Sequence, residues 1–277
     1  MNFNALLPIE IRDLSPIFVV APTPRCGSTL IQRLLNSTNK VVIFGEDALI
    51  SEALPDVLDA THHRMECQEQ EISLNRKKFK EETRDFWSNA LLPESTELFS
   101  ANVAWFSEVM KVYTRSAENL GCSIWGSKFP LRSFHDLDAY KRFLPRCRII
   151  YIYRDLFDIA RSCKARKWLE TRKDVFNLAQ RWKLNLSPFL GSESKQTLIL
   201  RYEDLISKPE EYIKKIENFV NVSGIDRSIM NKKINTWKGD KEEGRSETGY
   251  IPPETLTDNE EKLLQRIARE VLERTSQ

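Results

Sequence analysis

Two short segments of this chain carry the residue types that anion chemistry needs. The first is Thr23-Pro-Arg-Cys-Gly-Ser-Thr29. Gly27 lets the backbone turn tightly, so that successive N–H groups can point at an anion. A helix starting just after it would add its positive N-terminal end. Ser28 and Thr29 add hydroxyl donors and Arg25 a fixed charge. A phosphate or sulfate group fits there, and a plain strand-to-helix turn would not need small, basic and hydroxyl residues together. The order is not that of a Walker A loop, GxxxxGK[ST], which requires a second glycine and a lysine before the hydroxyl. The second segment is Tyr153-Arg154-Asp155 with Ser162 eight residues after Arg154. On its own this pairing is also met as an ordinary Arg-Asp helix start.

The elements that must position these residues can be read from hydrophobic pattern. Ile17–Ala21 is a short apolar run closed by Pro22 and Pro24, which suits a buried strand. Leu30, Leu34 and Leu35 share one face of a helix over 29–36. Residues 41–44 read as a second strand and 47–58 as a helix. Residues 59–97 are polar and read as a helical insertion or lid, and 102–120 as a long amphipathic helix. A strand is expected over 122–125, followed by a loop that contains Lys128 and Pro130, then a helix over 136–143. Arg148-Ile-Ile-Tyr-Ile-Tyr153 is rich in β-branched and aromatic residues and reads as the clearest strand. Helices over 155–167, 175–186, 209–220 and 257–274 and a strand over 196–200 complete the pattern, with 238–253 as a loop. Strands alternating with helices imply an α/β fold, a single domain with a central, mainly parallel sheet flanked by helices. Ligands bind at the carboxyl ends of the strands in such folds.

Together the two segments resemble the sulfotransferase family. Thr23-Pro-Arg-Cys-Gly-Ser-Thr-Leu30 looks like its 5′-phosphosulfate loop, in the form of Golgi-type and bacterial members. Ile149-Ile-Tyr-Ile-Tyr-Arg-Asp-Leu-Phe-Asp-Ile-Ala-Arg-Ser162 looks like its 3′-phosphate strand and helix. Trp125-Gly-Ser-Lys-Phe-Pro130 resembles the intervening Lys-x-Pro segment, and Leu200-Arg-Tyr-Glu-Asp-Leu205 with Pro209 the late strand-turn-helix. The resemblance implies a P-loop-like sulfotransferase fold and 3′-phosphoadenosine 5′-phosphosulfate (PAPS) as donor. It places Cys26, Gly27, Ser28 and Thr29 on the 5′-phosphosulfate and Arg25 beside the departing phosphate oxygen. Arg25 can help there only electrostatically, because a guanidinium does not give up its proton at neutral pH. Arg154 and Ser162 are implied on the 3′-phosphate, Tyr202 on the adenine, and Arg245 and Ser246 in a loop closing over the nucleotide. Locally the chain resembles protein-tyrosine sulfotransferases, in which a Glu follows the loop at a fixed distance; Glu46, 21 residues after Arg25, stands at that distance. This makes Glu46 the candidate base and Lys128 the cation for the sulfuryl oxygens. His135 is the alternative base, since related bacterial enzymes carry a His after the Lys-x-Pro segment.

Composition narrows the classes further. The chain has 277 residues, 41% hydrophobic and 30% charged, with a formal net charge of +2. That charge is too small to suggest nucleic-acid binding, and no stretch approaches the apolar length that spans a bilayer. Five cysteines without a CxxC pair or metal-ligand spacing point to reduced thiols in a cytoplasm and to no metal site. Cys26 reads either as an activated thiol or as small buried filler. Residues 41–100 hold thirteen acids against six bases, an acidic segment on a basic body. It is expected on the acceptor side, where it would suit a small cationic acceptor; saxitoxin-type alkaloid pathways use sulfotransferases of this kind. Trp105 or Trp87 could line that pocket. The rival readings are a P-loop kinase using ATP and Mg²⁺, which wants the missing lysine, and a nucleotide-binding module without turnover.

Overall fold

Ile17–Ala21 is buried along its whole length and forms β1. A strand with no exposed face must sit inside a sheet covered on both sides, and that is its place. The structure is a computed structural model that describes residues 7–81, 91–130, 134–231 and 251–275. The other strands are β2 (Val41–Phe44), β3 (Ile124–Pro130), β4 (Arg148–Tyr153) and β5 (Thr197–Arg201). They form one sheet in the order β2-β3-β1-β4-β5, every neighbouring pair parallel. The helices are α1 (Ile9–Arg12), α2 (Ser28–Asn36), α3 (Leu54–His63), α4 (Glu69–Glu81), α5 (Ser95–Asn119) and α6 (Phe134–Phe143). They continue as α7 (Leu156–Lys164), α8 (Arg172–Leu186), α9 (Tyr202–Ser207), α10 (Pro209–Val220) and α11 (Asp258–Thr275).

The expected α/β class is therefore found, and the topology decides where ligands can bind. β1 lies between β3 and β4, so the chain leaves β1 toward one edge of the sheet and later crosses to the other. The crevice at such a reversal, above the carboxyl ends of the strands, is where ligands of open parallel sheets sit. On one face, Phe18 packs against Trp125, Phe129 and Tyr140, with ring centroids 6.4, 5.5 and 4.6 Å away. Tyr151 stacks on Phe189 at 3.8 Å and its hydroxyl donates to Asn185 O, which ties β4 to the end of α8.

β3 departs from the sequence expectation. Gly126, Ser127 and Lys128 are poor strand formers, so a loop was expected around Lys128. The strand instead runs on to Pro130, because β1 pairs with it throughout: Val19 lies opposite Lys128 and Ala21 opposite Pro130. Pairing on both edges outweighs local preference in a central strand. In the polar segment after β2, α3 and α4 are helical, with wider π-type turns at Leu49–Ala53 and Arg64–Gln68, while residues 82–90 of the expected insertion lie outside the described residues. Two of its acids are neutralised locally: Asp59 pairs with Arg142 at 3.3 Å and Glu94 with Arg76 at 2.9 Å. Among the described residues no helix is long and apolar enough to cross a membrane.

The β1–β3 pairing rests on the absence of a side chain at position 126. A Cβ there would stand 2.0 Å from the carbonyl oxygen of Ile17 and 2.5 Å from Ile43 Cδ1. Backbone cannot yield as a flexible side chain can, so Gly126→Ala should cost at least about 1–3 kcal/mol, the range for overpacking. Urea unfolding monitored by circular dichroism should show the lowered midpoint; an unchanged midpoint would mean that β3 shifts freely.

Candidate active site

The connection from β1 to α2 is a turn over residues 22–27 sealed from below. Asn185 Nδ2 donates to Pro22 O at 2.9 Å, and the buried Thr23 and Cys26 face each other with Oγ1 and Sγ 3.3 Å apart. Arg25 and Gly27 have φ of 72° and 101°. Both are left-handed, which is cheap for Gly27 and strained for Arg25. Gly27 caps α2, and its carbonyl accepts from Leu30 N at 2.9 Å and Ile31 N at 3.2 Å. The first turn of α2 holds no acid. First-turn amides have no acceptor within their own helix, so this end favours an anion.

Position 27 has a second reason to be glycine. A Cβ would lie 2.5 Å from Cδ2 of Tyr202 and 3.2 Å from Ile152 Cδ1. Tyr202, the first residue of α9, thus lies over the turn that follows β1. The same ring carries the guanidinium of Arg154, 4.7 Å from its centroid. The aromatic expected at the nucleotide and the two anion segments therefore meet in one place.

Arg154 leaves β4 at its carboxyl end, held by Trp182 Nε1 donating to its carbonyl at 3.1 Å. Asp155 caps α7, its Oδ1 accepting from Asp158 N at 3.0 Å. The Arg154 guanidinium reaches Arg25 O and Asp158 Oδ2 at 3.5 Å each. Its Nε is shut off from solvent with no hydrogen-bond partner among the described residues. Arg25 is drawn to this side as well, its Nε donating to Ser162 Oγ at 3.0 Å. Burial, and then the charges of Arg166 and Arg154, lower the Arg25 pKa to about 10, against the opposing influence of Cys163 and Tyr202. Burial also pushes the Cys26 thiol up to about 11, which makes it filler rather than an activated nucleophile.

On the other side of β1, Lys128 of β3 reaches Glu46, with Nζ and Oε1 2.6 Å apart. Strand alternation puts Lys128 on the face opposite Ser127. Ser127 Oγ donates to Gly45 O at 3.2 Å and so holds the segment that carries Glu46. The Lys128 side chain is 12% exposed and that of Glu46 59%; the carboxylate is the accessible member of the pair. Asp47, the neighbouring acid, is occupied: it accepts from Leu49 N at 2.8 Å and from the Tyr113 hydroxyl. Burial, together with the bond to Asp47, raises the Tyr113 pKa. Phe44, Asp47, Leu49, Val109, Val112 and Tyr113 line a mostly apolar groove of about 360 Å³.

The structure thus brings Arg25, Arg154, Ser162, Gly27 and Tyr202 together on one side and Glu46 and Lys128 on the other. His135 lies in α6, but its side chain is outside the described residues, as are Arg245, Ser246 and Trp87. Trp105 is 40% exposed on α5. Ser127, Tyr113 and Arg166 were not singled out from sequence. Only Arg166 carried a signal, standing four residues after Ser162 on a helical path.

The profile of the sulfotransferase family matches residues 16–226, from β1 to beyond α10. The chain belongs to the sulfotransferase family. It is therefore an enzyme of sulfuryl transfer, and all four motifs lie within the matched span. Among solved structures, it is similar to the sulfotransferase domain of the curacin biosynthetic pathway. The identity is 17% over 94% of this chain and 98% of that one, with a TM-score of 0.51. A sulfotransferase domain of the Synechococcus PCC 7002 olefin synthase matches at 18% identity over 93% and 96%, TM-score 0.47. A Mycobacterium avium sulfotransferase matches at 15% over 98% and 78%, TM-score 0.44. At these identities the likeness concerns the fold. No curated protein sequence matches significantly.

A sulfotransferase that gathers guanidiniums in this way stores repulsion until an anion arrives. Arg25→Met removes one charge and keeps the bulk of the stem. The ligand-free variant should be more stable than wild type by about 1 kcal/mol, the usual yield of a stabilising substitution, and so should unfold at a higher temperature. Differential scanning calorimetry checks this, and a lower transition would show that the Ser162 bond outweighs the repulsion.

Proposed function

We propose that this sulfotransferase takes PAPS as donor and sulfates a hydroxyl or nitrogen of a small acceptor by in-line displacement. The observation that carries the reading is the arrangement about β1. An anion-binding turn stands between a guanidinium cluster on the β4 side and a lysine–carboxylate pair on the β3 side. The residues fit the donor. Arg154 offers a buried Nε donor without a partner among the described residues, and Gly27 leaves room for Tyr202 over the turn. The donor supplies the sulfuryl group and a phosphate leaving group.

Each residue then has a task. Amides and hydroxyls at Cys26 to Thr29 hold the 5′-phosphosulfate. Arg154 and Ser162 hold the 3′-phosphate, which is the feature that distinguishes this donor from ATP, and Tyr202 bears on the adenine. Arg25, between the two phosphate positions, lends positive charge to both. As the acceptor oxygen or nitrogen bonds to sulfur and the sulfur–oxygen bond to phosphate breaks, Glu46 takes the acceptor's proton. Lys128, released from its ion pair, faces the sulfuryl oxygens. The exposed carboxylate would also draw in an amine or guanidinium acceptor, while the groove beside Asp47 would seat its apolar part.

Calorimetry on Arg154→Ala tests the donor assignment. Affinity for adenosine 3′,5′-bisphosphate should fall by about 1.5–3 kcal/mol, the range for hydrogen bonds to charged groups, while adenosine 5′-phosphosulfate should bind nearly as before. Equal losses for both would remove Arg154 from the 3′-phosphate, and stronger binding of ATP with Mg²⁺ by the wild type would favour the kinase reading.

Glu46→Gln keeps the shape and deletes the proton acceptor. Turnover should fall by about 10²–10⁴-fold, the usual contribution of a positioned base, with bisphosphate affinity little changed. An active Glu46→Gln beside an inactive His135→Ala would move the base to the histidine.

A further inference from the structure

Ser162 and Arg166 are four residues apart at the end of α7. Arg166 N donates to Cys163 O at 3.1 Å, so the chain still coils through this point. Residues four apart on such a path share one side. That side already holds Ser162 Oγ, which accepts from Arg25 Nε at 3.0 Å. The Arg166 guanidinium is steadied over Trp168, 5.9 Å from the ring centroid, and Trp168 N bonds back to Cys163 O at 3.1 Å. Arg166 Nε is shut off from solvent. Of the charges acting on Arg25, that of Arg166 is the largest, ahead of Arg154. Burial lowers the pKa of Arg166 itself. Asp158, the carboxylate at Arg154 Nη2, is shared with Arg161 Nη1 at 3.0 Å. Arg25 is therefore bound to Ser162 while the like charges of Arg166 and Arg154 both bear on it.

We infer that Arg166 is a specificity-determining ligand for a phosphate monoester on the ribose of the nucleotide donor, held jointly with Arg154 and Ser162. The inference rests on the donor reading above. A monoester carries about −1.5 to −2 charge at pH 7 and three strong acceptor oxygens. Guanidinium forks match that group in both charge and geometry. A ribose hydroxyl in its place brings no charge to offset the cost of keeping the cations together. Arg166 is thus a residue by which this chain tells a 3′-phosphorylated nucleotide from an ordinary one.

Titration calorimetry on the full chain, with adenosine 3′,5′-bisphosphate and adenosine 5′-monophosphate as probes, tests it. Arg166→Gln should weaken the bisphosphate by about 10- to 100-fold, as expected for losing bonds to a charged group, and should leave the monophosphate within about twofold. Arg166→Lys should recover part of the loss, since it keeps the charge and loses the planar fork. Equal weakening of both probes would mean that Arg166 only packs the turn after α7, and an unchanged bisphosphate would also overturn the inference. Should Arg166→Gln fail to fold, Arg166→Lys decides: a loss confined to the bisphosphate supports the role, and wild-type affinity for both probes ends it. A wild-type chain that binds the two probes equally would instead overturn the donor reading itself.

Discussion

Positive charge collects above the carboxyl ends of β1 and β4 beyond what Asp158 can offset. Arg154 and Arg166 both act on Arg25 across a partly desolvated space, where like charges repel more strongly than in water. Much of the local architecture serves to hold them there. Asp155 caps α7, Trp182 fixes the Arg154 carbonyl, and Tyr202 offers its ring face to the Arg154 guanidinium. Arg25 even accepts a left-handed backbone. Strain of this kind persists at functional sites because the surrounding structure over-determines it.

The acidic side is built on different terms. Two adjacent carboxylates follow β2, and hydrogen bonding divides their work. Asp47 is used by the chain itself, joined to Leu49 N and the Tyr113 hydroxyl. Tyr113 in turn lies 5.0 Å from the Trp125 ring, and Phe44 meets it edge-on at 5.6 Å. This aromatic stack anchors the segment after β2 to β3, so Glu46 is carried on a fixed support with its carboxylate turned toward Lys128. Glu46 and Lys128 are positioned by the same strand pairing that positions the turn after β1.

The parts of the fold legible in the sequence were those with strong local patterns. Ile17–Ala21 and Arg148–Tyr153 are continuous apolar or β-branched runs, and both are strands where expected. Thr23–Thr29 leads from a strand into a helix, as the apolar run before it and the leucine spacing after it imply. The extent of β3 was not legible, because Gly126-Ser127-Lys128 joins the sheet through its neighbours' hydrogen bonds rather than its own propensity. The contact between Arg25 and Ser162 spans 137 positions and leaves no periodic trace. The acidity of residues 41–100 suggested a cationic-acceptor surface, yet Asp59 and Glu94 are spent on nearby Arg142 and Arg76. Net charge counts residues and is blind to how they pair.

The sealed thiol of Cys26 makes the anion turn its own reporter. Burial raises its pKa to about 11, which disfavours the reactive thiolate at neutral pH, and the sulfur is wholly buried. An alkylating reagent would label the exposed Cys67 first and the half-exposed Cys122 next. Cys163, raised to about 12 by burial, is protected in the same way. Label can reach Cys26 only while the turn is open. Its labelling rate is therefore a clock for local opening, and a bound anion that closes the turn would slow that clock without touching the sulfur.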